Sequence, residues 1–280
     1  MNGTYLPELS EADATGDIAR IYGEIRAASG VPYVSTLQRF LATLPGVLEY
    51  GWAVVRPAMV AGVASDAAWR AAKAAAPPPL PPMSPAVMRL LGVDGDDLGT
   101  IRNIAANFAR VSPVNVVTGA MLEPVVTGAP MPSGAGFADQ EMPIPAMLDD
   151  MPGLPAMDSL SDDLRTALSG LMVPIGGQPF LPALYRQFAR WPAFAAYLAA
   201  VIPPRRQDAG VVAAEARAIG GIVDAGRALY AKLPPPKVDT PAPDAATAAL
   251  IVEAIARYRT TSADMICTGQ ALLLALPEEY

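Results

Sequence analysis

Leu37-Gln38-Arg39-Phe40-Leu41-Ala42-Thr43-Leu44-Pro45 is followed by Tyr50, and Leu184-Tyr185-Arg186-Gln187-Phe188-Ala189-Arg190-Trp191-Pro192 is followed by Tyr197. Leu, Arg, Ala, Pro and Tyr recur in these stretches at one offset, 147 residues. Ile104, Ala109 and Arg110 meet Ile251, Ala256 and Arg257 at the same offset, and Asp17-Ile18 meets Asp163-Leu164 at one residue less. Two blocks in one register point to a duplicated unit. Two such units can pack face to face about a pseudo-twofold axis, each covering the apolar surface the other exposes. The cleft between them is a natural ligand site, because equivalent helices there present different side chains.

Working outward, the pattern is helical. From Asp17 to Ala28 the residues Ile18, Ile21, Tyr22 and Ile25 fall three and four apart, with Asp17 at a cap or first-turn position. Further helices are predicted over Val34–Leu44, stopped by Pro45-Gly46, and over the segment carrying Leu48, Trp52, Val55 and Met59. Ser84–Leu91, Asp97–Val111 and Val114–Leu122 read the same way. Strand-like alternation is nowhere sustained, so the expected class is all-α, two tandem helical repeats. The proline runs Pro77-Pro78-Pro79-Leu80-Pro81-Pro82 and Pro234-Pro235-Pro236 cannot be helical. The expected division is a first repeat over 1–123, a Pro/Gly/Met-rich connector over 124–157 and a second repeat over 158–280. The connector reads as a mobile interdomain segment, with a lid over a pocket as the alternative.

Composition narrows the chemistry. Hydrophobic residues make up 52% of the 280 and charged residues 17%, which excludes disorder. Lys+Arg 20 against Asp+Glu 27 gives a net charge of −7, which argues against nucleic acid and anionic membranes as partners. There is no His, so no Ser-His or Cys-His pair and no histidine metal site. The single cysteine, Cys267, excludes an intrachain disulfide, a CxxC pair and a thiolate zinc cluster. No metal and no cofactor are expected, and chemistry falls to Asp, Glu, Tyr, Ser, Lys or Arg. Gly134-Ala135-Gly136 and Gly176-Gly177 do not stand between a strand and a helix, as a phosphate loop would. The opening MNGTYLPELSEADATGD is polar and acidic where a signal peptide is basic and then apolar. The uncharged runs Trp191–Pro204 and Met265–Pro277 fall short of the roughly 20 residues a bilayer requires. The reading is a cytoplasmic protein whose partner is a small-molecule ligand, with no nucleic acid and no membrane. A homodimer stays open.

Several stretches together carry a resemblance. They are Leu6-Pro7-Glu8-Leu9-Ser10, Asp17 to Arg26, Val31-Pro32-Tyr33-Val34, Arg39 to Gly46 and Trp52. Gly92-Val93-Asp94-Gly95-Asp96-Asp97, Ser112-Pro113, Arg190-Trp191-Pro192, Tyr258 and Ala263-Asp264 continue it over nearly the whole chain. In order and spacing the chain resembles the group I, non-stereospecific 2-haloacid dehalogenases. The resemblance implies an all-helical, AhpD-like fold of two repeats with the active site between them. The implied reaction is hydrolysis of a 2-halo acid to a 2-hydroxy acid, in which an aspartate activates the water that displaces halide directly. Such chemistry needs a carboxylate base, a polar group orienting the water and a partly apolar pocket.

Carried over residue by residue, the resemblance puts Leu184 at the place of the water-activating aspartate, seven before Trp191, and Ala183 at the serine before it. Ser112, before Pro113, stands at the water-orienting asparagine. Tyr33 and Thr36 stand at the pocket tryptophan and phenylalanine, and Tyr258 is retained. Leucine accepts no proton, and Leu164–Gln207 contains no Asp or Glu. Glu24, Glu123 and Asp264 are the other carboxylates weighed as a base, each reading first as a solvated surface charge or helix end. Arg39 and Arg186 read as partners of helix-end carbonyls or carboxylates, or as clamps for a substrate carboxylate. Tyr33, Tyr185 and Tyr258 read as core aromatics or cleft hydroxyls. Ser112 reads as a helix cap or a ligand contact, and Cys267 as a small buried hydrophobe. The expected function is a dehalogenase-like hydrolase whose activity is altered or lost, with a non-catalytic binder of a small apolar ligand as the alternative.

Overall fold

Periodic apolar residues become buried faces in the computed structural model, which describes residues 6–175, 177–237 and 240–278. Helix α1 (Gly16–Ser29) buries Ile21, Tyr22, Ile25 and Ala28, carries Asp17 in its first turn and ends at Gly30 in the left-handed conformation. It is followed by α2 (Thr36–Leu41), α3 (Val47–Val60), α4 (Val63–Ala74), α5 (Pro85–Leu90) and α6 (Gly95–Val126). After the connector come a single 3-10 turn (Met157–Ser159), α7 (Asp162–Ser169), α8 (Ala183–Phe188), α9 (Pro192–Arg205), α10 (Ala209–Tyr230) and α11 (Ala245–Ala275). Asp94, Asp208 and Asp244 cap α6, α10 and α11 by accepting backbone N–H bonds at 2.7–3.1 Å. The class is all-α. Helices α2 and α8 stand at the 147-residue offset read from the sequence.

The long helices α6 and α11 pack along each other, and α10 lies against both and against α4. Two apolar clusters share these helices. One joins α1–α4 and α10 to the later part of α6, and the other joins α5 and α7–α9 to its earlier part. The short helices cross over, α2 packing on α11 and α8 on α6. No helix among the described residues is long and apolar enough to cross a membrane.

Three local expectations change. The helices predicted over 97–111 and 114–122 are one helix, which runs through Pro113. Proline deprives the Ala109 carbonyl of its helical donor, but every residue from Val111 to Leu122 is buried, and that packing outweighs the lost bond. The helix predicted over Val34–Leu44 shrinks to Thr36–Leu41. The sequence also hides an antiparallel hairpin, β1 (Val173–Ile175) with β2 (Gln178–Phe180), which pairs Pro174 with Pro179 and turns at Gly177. Gly176, part of that glycine pair, lies outside the described residues.

The connector has no helix or strand from 129 to 156, yet it is fastened along its length. Gly134 N–H donates to Leu233 O (2.7 Å), Met142 N–H to Ala61 O (2.8 Å) and Leu148 N–H to Gly30 O (3.2 Å). Side chains grip its carbonyls: Arg110 that of Ala146 (2.7 Å), Asn103 that of Asp149 (3.0 Å) and Gln187 that of Pro152 (2.9 Å). Arg190 takes Gly153 O, and Arg186 Nε takes Pro155 O at 2.6 Å. Gly30 and Gly62, both at positive φ, admit this close approach, since a Cβ on Gly62 would stand 2.2 Å from Met142 O.

Candidate functional site

Helical spacing decides which side chains meet between α2 and α8. Thr36 and Arg39 of α2, Phe108, Val111 and Ser112 of α6, and Ala183, Arg186 and Gln187 of α8 all line one cavity of about 640 Å³. Each set is spaced three or four apart, one face of its helix. Helix α11 adds a stripe through Ala254, Tyr258, Thr261 and Met265. Tyr33 enters from the α1–α2 loop, Ile175 and Phe180 from the hairpin, and residues 150–154 from the connector. Thr36 with Ala183, Arg39 with Arg186, and Val111 with Tyr258 are pairs at the 147-residue offset that line the same space.

Leu184 does not line the cavity. It is 0% exposed and sits in the second apolar cluster with Tyr185 and Phe188. The six-residue helix α8 turns Ala183, Arg186 and Gln187 toward the cavity, so the next position, rotated by about 100°, faces the core. The expectation that Leu184 forms part of the pocket is corrected accordingly. Ser112 is no helix cap, because it lies in the middle of α6, buried and against the cavity.

Three polar atoms on lining residues are buried without a hydrogen-bond partner: Tyr33 Oη, Arg39 Nε and Gln187 Oε1. Burial, reinforced by nearby Tyr258 and opposed by Arg39, holds the Tyr33 hydroxyl well above the usual phenol range. Burial likewise pushes Tyr258 up to about 12, with Ser35 and Arg39 opposing. Both phenols are therefore neutral donors at ordinary pH. Arg39 ion-pairs with Glu8 at 2.6 Å. Arg186, read from the sequence as a partner of carbonyls or carboxylates or else as an anion clamp, donates its Nε–H to the connector carbonyl of Pro155. Ser35 Oγ and Gln38 Nε2 both donate to Asn115 Oδ1 at 2.9 Å, a buried network one turn beyond Ser112 that the sequence reading missed.

None of the three carboxylates weighed from the sequence lines the cavity. Glu24 accepts from Trp52 Nε1 (2.6 Å) and Arg56 Nε (2.8 Å), and Glu123 is held by both Arg259 terminal nitrogens (2.8 and 3.1 Å). Asp264 is buried, accepting from Tyr185 Oη (2.7 Å), Arg206 Nη2 (2.8 Å) and Thr268 Oγ1 (3.1 Å). The acidic residues that do line the cavity are Glu8 and Asp150, and Asp150 was not foreseen.

The Asp264 cluster extends to Glu215, whose carboxyl is raised to about 7 by burial and then by Asp264, against Arg206 and Arg205. Cys267 is buried, as expected, and its thiol is pushed up to about 12 by burial and then by Glu215 and Asp264. The folded chain keeps the Glu215 proton to about pH 7, whereas the unfolded chain releases it near 4.5. The unfolded state therefore binds fewer protons in that window, and stability falls as pH rises through it. Glu215→Gln is expected to raise the urea midpoint over wild type at pH 8 and to leave it unchanged at pH 4. An equal gain at both would show that the carboxylate charge is not the cause.

No family model matches the sequence. A curated protein of Alcaligenes xylosoxydans xylosoxydans, "2-haloacid dehalogenase, configuration-inverting", is 37% identical over 67 residues, 24% of this chain. The match spans 23% of that relative's length. Among solved structures, a D-2-haloacid dehalogenase mutant in complex with D-2-CPA superposes with a TM-score of 0.76 at 14% identity, covering 99% of this chain and 98% of that one. A D-2-haloacid dehalogenase complex with L-LA gives 0.68 at 15% identity over the same shares. Such identities speak for architecture alone, and the architecture is the all-helical one of the D-2-haloacid dehalogenases.

Proposed function

We propose that the cavity binds a small carboxylic acid of the 2-halo class, its carboxylate on Arg39 and Tyr33 and its apolar part among Phe108, Val111 and Met265. The observation that carries this reading is the pair of buried donors, Arg39 Nε–H and Tyr33 O–H, without partners on the wall of one cavity. A buried donor left unmade costs about 1–3 kcal/mol, and a bound carboxylate recovers it with charge-assisted bonds. Similarity to configuration-inverting and D-2-haloacid dehalogenases supports the ligand class. The non-stereospecific resemblance adds that both enantiomers fit.

Helix α8 offers the cavity no carboxylate, so the water activation implied by the resemblance has no base there. A second reading retains hydrolysis through Asp150. It lines the cavity, its carbonyl is held by Asn103 (3.2 Å), and unlike Glu8 it is not committed to Arg39. Thermal shift and chloride release are to be measured with each enantiomer of 2-chloropropanoate. Stabilisation by both is expected, and failure of either enantiomer or of both refutes the corresponding claim. Any chloride release is expected to fall about 10²–10⁴-fold in Asp150→Asn, the usual cost of losing a general base. Release that survives this change would remove Asp150 from the mechanism.

A further inference from the structure

The cavity is far larger than the smallest 2-halo acid. Its volume of about 640 Å³ would hold on the order of twenty water molecules at ~30 Å³ each. A three-carbon halo acid, with about six non-hydrogen atoms, fills only about a third of that on the same scale. Around α2 the wall is polar, with Tyr33 near Tyr258 and Arg39 and Tyr258 near Arg39 and Glu8, while Arg186 and Gln187 of α8 and Asp150 of the connector add polar groups beyond it. The hairpin, the residue after it and the connector contribute a different surface, with Ile175, Phe180, Leu181, Met151 and Leu154. Leu154 is 41% exposed although it belongs to this wall. Apolar area left facing solvent inside a concave site is surface that a ligand covers with profit in free energy.

Resting on the proposed carboxylate site, we infer that the ligand is a longer acid, one bearing an extended alkyl or aromatic substituent that lies along the hairpin and connector wall. Its head is held by Arg39 and Tyr33, and its tail displaces water from Phe180, Leu181 and Leu154. Every buried methylene contributes about 0.8 kcal/mol, which is about fourfold in affinity.

The test is calorimetric titration of the full chain with 2-bromopropanoate, 2-bromohexanoate and 2-bromodecanoate. Affinity is expected to rise on the order of 50-fold from the three-carbon to the six-carbon acid, by the fourfold step per methylene. Leu181→Gln is expected to flatten that rise. Binding of the shortest acid with no gain for the longer ones would overturn the tail while leaving the carboxylate site standing. Absence of binding by every acid would overturn the carboxylate site itself. A rise that Leu181→Gln leaves untouched would place the tail elsewhere and so refute the inference.

Discussion

Asp264→Ala is expected to destabilise the fold by about 3–5 kcal/mol, the usual cost of stripping one partner from a buried ion pair. At the size of this chain that corresponds to a fall in melting temperature on the order of 6–10 °C. The carboxylate accepts from Arg206, Tyr185 and Thr268, and side-chain exposure is only 10% for Asp264 and 19% for Arg206. Removing it strands the Arg206 charge, which lies 5.4 Å from the centre of the Tyr185 ring, and leaves the Tyr185 hydroxyl its 3.3 Å contact with Thr268. Because Tyr185 lies on α8 between Ala183 and Arg186, the loss reaches the cavity wall from behind. Arg206→Met in the same background is expected to recover much of the loss, since it withdraws the stranded charge. An Asp264→Ala protein that melts with the wild type would show that the network contributes nothing to stability.

The second large effect is on binding. Arg39→Met is expected to weaken 2-chloropropanoate binding by about 10–100-fold, the scale of losing a hydrogen bond to a charged group. The fold should change little, because the Arg39–Glu8 pair is partly exposed, with side-chain exposures of 30% and 15%, and such pairs contribute about 1 kcal/mol or less. Arg39→Lys should recover only part of the affinity, as an ammonium lacks the guanidinium fork. Binding of the uncharged 2-chloropropanamide should be indifferent to either change. An unaltered dissociation constant for the acid in Arg39→Met would move the carboxylate away from α2.

What could be read from the chain follows from what is periodic in it. The 147-residue offset set Arg39 and Arg186 at equivalent places in the sequence, and the resemblance singled out Thr36 and Ala183, which stand at the same offset; all four line one cavity. Rotation about a helix is a finer matter. Counting back from Trp191 reached α8, but one residue along so short a helix separates Ala183 at the cavity from Leu184 in the core. Pro113 misled for a related reason: its local cost is plain in the sequence, while the burial that outweighs it is set by α11 and α10 packing on α6. Asp150 was invisible because its segment has no period. The path of that segment is fixed by acceptors on the main chain, which carry no signature in residue type, and by donors as scattered as Asn103, Arg110 and Gln187.

That manner of fastening has a consequence for change over time. From Asp149 to Pro155 the helices hold the connector by its carbonyls, which every amino acid possesses, so side chains at 150–154 can be exchanged while those acceptors remain. The wall they form is in effect a replaceable cassette in a permanent frame, where new ligand preferences can be tried at little risk to folding.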